Sequence, residues 1–293
     1  LLMAKNTQVD DYISYQNATD KSPLTLESYR SDLLQFANWF EAINKTDMKL
    51  TNITPTDARQ YKQYLIDARF KAPTINRRLL SLKYFLEWGW QTKKIKFRFP
   101  LPKTVKQLQS MPKWLSRTQQ NQLLRHVEQL GSKRDIAIVK ILLNTGLRVS
   151  ELCSLKWCDI TMSERKGKLA VNAGKGCKYR EIPLNKDARF ALFSLDYTIH
   201  AGSETFVFTG QRGVLSSRGV QLMLKRLRTP EELGVISPHQ LRHTFCKNLV
   251  DAAVSLEKVA SLAGHERLDT TKLYCQPSFA DLSEAVERIG END

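Results

Sequence analysis

The sequence predicts a mostly α-helical protein with one small β-sheet: an all-helical N-terminal domain followed by a mixed α/β domain. Three observations lead there. A chain of 293 residues exceeds what one hydrophobic core usually organises, which favours two domains. Over the first ~95 residues apolar positions recur at helical spacing, with no competing strand-like alternation. Farther on, Lys168–Asn172 and Tyr179–Pro183 read as the arms of a β-hairpin across the glycine-rich turn Gly174-Lys175-Gly176.

The elements follow in order. Ser22-Pro23 and Thr25 precede a helix with Leu26, Tyr29, Leu33 and Phe36 spaced along one face. Thr54-Pro55 opens a second helix, with proline in the first turn where its missing N–H costs nothing, and Ala58, Tyr61 and Leu65 inward. Pro73-Thr74 opens a third, burying Ile75, Leu79, Leu82 and Phe85/Leu86. Helices are expected again over 117–130 and 133–145, then, beyond the hairpin, near 186–195, 216–227 and 238–252. Shorter ones fall near 255–263 and 269–274. A final segment, Phe279 to Ile289, carries Leu282, Ala285/Val286 and Ile289 on one stripe.

Composition narrows the function. Hydrophobic residues at 42% and charged residues at 26% describe an ordinary globular chain. Forty-five Lys and Arg against 30 Asp and Glu give a net charge of +15, so a polyanion, nucleic acid or anionic lipid, leads the list of partners. No apolar run exceeds four residues, and Ile136–Val139 is cut by Lys140, far short of the ~20 residues a membrane span needs. Leu1-Leu2-Met3 is too short for a signal peptide. Five cysteines with no Cys-x-x-Cys pair read as reduced thiols of a cytoplasmic protein rather than a disulfide or zinc framework. No metal site and no cofactor are expected.

Between Glu87 and Glu128 there is no acidic residue but nine basic ones, among them Lys93, Lys94, Lys96 and Arg98. Pro100, Pro102 and Pro112 favour an extended path there. The expected division is a helical domain over 1–99, a basic linker over 100–113 and a second domain over 114–293. The linker is either solvated surface or a strap laid against phosphates. Residues 1–111 carry net +8 and the remainder net +7, so both domains can face a polyanion, as in a clamp.

The chemistry-bearing residues cluster in the second half. Ser237-Pro238-His239-Gln240-Leu241-Arg242-His243 has a capping-box start, placing His239 and Arg242 on one face of a first helical turn whose free N–H groups favour an anion. The plain alternative is an N-capped surface helix. His239 and His243 are four apart, a weak metal pair because no Glu follows His239. Arg148 follows the glycine break in Asn144-Thr145-Gly146-Leu147-Arg148, and otherwise reads as a surface arginine pairing with Glu151. Lys175 sits free at the hairpin tip, Gly264 looks like a helix C-cap before His265, and Tyr274 follows nine residues later. Taken singly, that histidine and tyrosine read as structural.

In order, these fragments are Thr-Gly-Leu-Arg-x-Ser-Glu-Leu, Gly-Lys-Gly in a hairpin, Pro-His-x-Leu-Arg-His-Thr, then Gly-His and a tyrosine. Together they resemble the catalytic core of the tyrosine recombinases, the phage-integrase-like enzymes that include the Xer resolvases, over residues 115–280. Leu24–Arg30 and Thr74–Leu79 similarly resemble that family's SAM-like core-binding domain, less specifically.

The resemblance implies a site-specific DNA recombinase working through a 3′-phosphotyrosyl intermediate, without metal or cofactor. Arg148 and Arg242 would grip the scissile phosphate and Tyr274 would attack it. Lys175 would protonate the leaving 5′ oxygen, His239 would assist proton transfer at the tyrosine, and His265 would hydrogen-bond the phosphate. Candidate DNA contacts are Arg30, Asn76, Arg77, Arg78, Lys93, Lys94, Lys96 and Arg218. The implied partners are double-stranded DNA at paired sites and a homotetramer whose C-terminal helix docks in trans, with accessory proteins left open and no membrane. Ala263 stands where the family more often has leucine, and no extra arm-binding domain is expected ahead of the helical one. A type IB-like topoisomerase, a DNA-binding regulator on a recombinase scaffold and an acidic-lipid binder are the alternatives. The complete set of six residues weighs against a decayed regulator.

Overall fold

The structure, a computed structural model, describes residues 6–19, 21–107, 112–172, 179–211, 213–227, 233–265 and 267–275, together with 283, 286 and 287. The chain divides into two compact units, Leu1–Gln109 and Ser110–Asp293. Among the described residues, no helix is long and apolar enough to cross a membrane.

The first unit is helical: α1 (Thr7–Asn17), α2 (Pro23–Asn44), α3 (Pro55–Asp67) and α4 (Ala72–Gln91). α1 was not expected from the sequence. Its start is set by Asn6, whose side chain accepts from the Gln8 and Val9 N–H groups; Val9 and Tyr12 are fully buried and Ile13 partly, a face of less than two turns that gives a short periodic signal. The expected starts of α2 and α3 hold. Ser22 accepts from the Thr25 N–H with Pro23 in the first turn, and Thr54 and Asp57 cap one another reciprocally. The core is aromatic, with Phe36, Trp39 and Tyr61 at ring separations of 4.9–5.8 Å and Tyr12 edge-on to Phe85 at 5.4 Å.

The first part of the basic interval lies on this unit. Phe99, Leu101 and Val105 pack against its core. Asn76 holds the Val105 backbone from both sides, donating to the carbonyl at 2.9 Å and accepting from the N–H at 2.7 Å. Lys62 Nζ donates to the Lys103 carbonyl at 2.8 Å. An extended segment with no strand beside it takes its backbone partners from side chains.

The second unit is built around α6 (Lys133–Thr145), whose Ala137, Ile138, Val139, Ile141 and Leu142 are all buried. It packs between α5 (Arg117–Leu130), α8 (Lys186–Phe193) and α11 (Pro238–Asp251). The hairpin arms form as β2 (Gly167–Val171) and β3 (Arg180–Pro183), and β1 (Ile160–Met162) adds a third antiparallel strand in the order β1-β2-β3. Ile160, Leu169 and Ile182 are directly paired across the three strands and all face the core. Three residues are too few for β1 to announce itself by alternation, and the same holds for β4 (Thr209–Gly210) paired with β5 (Gly213–Val214). Residues 173–178, the expected hairpin turn, lie outside the described residues, as does nearly all of the expected final helix over 279–289. α7 (Val149–Ser154), α9 (Tyr197–His200), α10 (Ser217–Arg226), α12 (Leu256–Ala263) and α13 (Leu268–Lys272) complete the unit.

Candidate active site

Two helix C-termini aim the arginines. α6 ends at Gly146 in the left-handed conformation, φ 63°, and a side chain there would overlap the Phe245 ring. Its carbonyl, one of those a helix end leaves without an intrahelical partner, accepts from Arg242 Nη1 at 2.5 Å. α12 ends at Gly264, φ 68°. There the Ala263 carbonyl accepts from Arg242 Nη2 at 2.5 Å and the Gly264 carbonyl from Arg148 Nη2 at 2.7 Å. The negative ends of two helix dipoles thus hold two guanidiniums. Arg242, on the first turn of α11 behind the Ser237 cap, is 3% exposed. Burial, then the charge of Arg148, lower its pKa.

Glu151 is the hub beneath them. Its Oε1 accepts from Arg148 Nη1 at 2.9 Å and Arg180 Nη1 at 3.0 Å. Its Oε2 accepts from the Arg148 N–H at 2.7 Å and Arg180 Nη2 at 2.8 Å. Burial pushes the Glu151 carboxyl up, but these hydrogen bonds outweigh it and hold the pKa below the ordinary value. The expected Arg148–Glu151 pairing is present, and it belongs to the site rather than competing with it. Arg180, on β3, also donates through Nε to the Leu262 carbonyl at 3.1 Å.

Tyr274 lies in the 3₁₀ turn Leu273–Cys275 that follows α13, 1% exposed, among Phe245, Cys246, Val259 and Ala263. Burial, then the neighbouring Cys246, push its pKa well above the usual phenol value, while Arg242 pulls the other way. Its hydroxyl is 2.5 Å from His243 Nδ1. The His265 ring lies parallel to the tyrosine ring, centroids 6.2 Å apart, and its Nδ1 meets Thr271 Oγ1 at 2.9 Å. His239 sits edge-on to His243 at 4.1 Å. All three imidazoles have lowered pKa values, burial being the largest cause for each. The second cause is Arg242 for His239 and His265, and His239 for His243. His243 and His265 fall to about 4.

Five of the six predicted residues, Arg148, His239, Arg242, His265 and Tyr274, are therefore placed in one cluster; Lys175 lies outside the described residues. Two members were missed. Arg180 had a signal, because strand alternation puts it on the same face as buried Ile182. His243 reads from the sequence as part of the Pro-His-x-Leu-Arg-His-Thr fragment and as half of a weak metal pair, and nothing in its spacing points to Tyr274, 31 residues away. Among the described residues no group of three or more His, Cys, Asp or Glu could hold a metal ion.

The candidate DNA contacts divide. Lys93 and Lys96 are exposed, and Arg218 is exposed at the start of α10. Arg30 pairs with Asp10, and Lys94 pairs with Asp11 at 3.2 Å, both near the surface. Buried Asp32 draws in Arg77 at 2.5 Å, and Arg78 is 8% exposed with its guanidinium 4.2 Å from the Phe70 ring centroid. Arg78 therefore belongs to the interior, because a buried carboxylate needs nearby positive charge. Asn76 is occupied by Val105.

Family models match both units: the phage integrase family over residues 113–281, and the phage integrase N-terminal SAM-like domain over 9–93. A TnP I resolvase from Bacillus thuringiensis is 30% identical, with 96% of this chain and 98% of that protein covered. Tyrosine recombinase XerC from Corynebacterium glutamicum is also 30% identical, with coverages of 97% and 91%. The solved Tn1549 transposon integrase in complex with circular intermediate DNA shares the fold, with a TM-score of 0.71 at 21% identity over 95% of this chain and 98% of that one.

Proposed function

The chain belongs to the phage integrase family and is a tyrosine-type site-specific recombinase, and from that premise we propose that it cuts and rejoins double-stranded DNA at paired sites through a 3′-phosphotyrosyl link to Tyr274. What carries this reading is the pair of guanidiniums, Arg148 and Arg242, held by the carbonyl ends of two helices in the same cluster as the tyrosine. In the forward step the phenolic oxygen bonds to phosphorus and the bond from phosphorus to the 5′ oxygen breaks. The phenolic proton passes to an imidazole of the site, and Lys175 delivers a proton to the leaving 5′ oxygen. The energy of the broken bond is kept in the tyrosyl ester, so an incoming 5′-hydroxyl rejoins the strand by the reverse step.

Arg148 and Arg242 neutralise the charge that grows on the non-bridging oxygens. His265, with Nδ1 engaged by Thr271, has Nε2 left to meet the phosphate, and His239 assists proton transfer. Exposed Lys93, Lys96 and Arg218, and the outer faces of Arg30, Lys94 and Arg77, supply phosphate contacts that fix register on the duplex. The working unit is a homotetramer on paired sites, with the C-terminal segment docking on a neighbouring protomer and accessory proteins adding order. Its setting is the cytoplasm, where replicons lie. Its task is resolution or integration on a mobile element or replicon, both of which use the same strand exchange. Tyr274→Phe tests the reading: DNA binding stays within about threefold, and the protein–DNA adduct that survives denaturant disappears. An adduct that persists moves the nucleophile elsewhere.

A further inference from the structure

The phenol of Tyr274 does not meet His239, the histidine expected to serve it. It meets His243, with Nδ1 2.5 Å from the hydroxyl. We propose that His243 is the residue that takes the phenolic proton when Tyr274 attacks phosphorus and returns it when the strand is rejoined. The inference rests on Tyr274 being the nucleophile and adds a residue to that reaction.

Several observations converge on it. Among the described residues, the groups around the ring that could charge it are cationic or neutral: His239 and Arg242 on the same helix, His265 beyond α12, and Tyr274 with Cys246 beside it. No carboxylate is among them, so nothing favours the imidazolium, and burial adds to the same effect. At neutral pH the ring is therefore an uncharged acceptor. With its hydrogen on Nε2, Nδ1 offers a lone pair to the phenol O–H. The other polar neighbour, the Cys246 thiol, is a much weaker acceptor. A phenol whose pKa is raised by burial needs such a base, because too little phenolate exists near neutral pH to react unaided. His239, edge-on to His243 at 4.1 Å, stands behind the base, nearer the arginines that perturb it.

The proton balance is closed. The proton leaving the phenolic oxygen arrives on His243 Nδ1, the leaving 5′ oxygen takes a different proton from Lys175, and rejoining reverses both transfers. Base and acid are separate residues, which makes them separable by substrate chemistry.

The experiment uses the full chain and a duplex selected from a randomised pool by covalent capture on the wild-type protein. That duplex is made once with the natural 5′-bridging oxygen and once with sulfur in its place, a leaving group that needs no proton. His243→Asn keeps an acceptor near the Nδ1 position but cannot take a proton. Single-turnover adduct formation by this variant is expected to fall about 10²–10⁴-fold on both duplexes. Its rate should climb about tenfold per pH unit between pH 6 and 9, as hydroxide replaces the base, where wild type is nearly flat. Lys175→Ala should be slow on the oxygen duplex and restored on the sulfur duplex. His243→Asn within threefold of wild type, faster than wild type, or rescued by sulfur overturns the proposal while leaving the nucleophile intact. Absence of any Tyr274-dependent adduct with wild-type protein overturns the recombination chemistry itself, and this inference with it.

Discussion

Glu151→Gln separates the support of the site from its chemistry. The carboxylate accepts four hydrogen bonds, two at each oxygen, from the Arg148 N–H and guanidinium and from both arms of Arg180. An amide keeps one acceptor oxygen and turns the other into an NH₂ group facing two donors, whichever way it is flipped. Two bonds are lost, two donor–donor contacts appear, and Arg180 keeps one bond to the amide oxygen but loses its counter-charge. The side chains of Arg180 and Glu151 are only 9% and 13% exposed, so water cannot take over. Removing one partner of such a pair costs about 3–5 kcal/mol, of which the more exposed Arg148 side chain contributes little. For a unit of this size each kcal/mol lowers the melting temperature by roughly 2–4 °C, so calorimetry should show its transition falling by roughly 6–20 °C. Adding Arg180→Leu should recover part of the loss, because the double variant removes the buried guanidinium whose counter-charge the amide took away. A single variant within about 1 kcal/mol of wild type, or a double variant whose losses simply add, would refute the hub assignment.

Gly146→Ala should be costly for two compounding reasons: about 1–2 kcal/mol for a side chain at φ 63° and about 1–3 kcal/mol for the overlap with Phe245. A melting temperature unchanged by it would show that the α6 terminus can relax. His243 and His265 have folded pKa values near 4 against an ordinary 6.5, so the unfolded chain binds their protons first as the solution is acidified. Their contribution is complete above pH 6.5 and is lost between 6.5 and 4, with a slope of up to about 1.4 kcal/mol per pH unit for each, less whatever solvent reaches them. Thermal unfolding of His265→Gln should accordingly lose less stability than wild type between pH 6.5 and 4.5; parallel curves would show that this histidine is not held neutral.

Whatever a local rule can carry was legible along the chain. The Ser22, Thr54 and Ser237 caps, the prolines that follow them, and the apolar stripes of α2, α3 and α4 act within a few residues of chain, so their helices stand where spacing placed them. The glycine ends of α6 and α12 were visible as Thr145-Gly146 and Ala263-Gly264, and the order of fragments was enough to nominate the site residues. Packing set the partnerships between distant segments: Glu151 beneath Arg180, Arg242 on the carbonyls of Gly146 and Ala263, His243 rather than His239 on the Tyr274 hydroxyl, and Asn76 on the Val105 backbone. Capping and periodicity are set by neighbours along the chain. A hydrogen bond between side chains from different helices is set by how those helices pack, and packing depends on every buried residue at once.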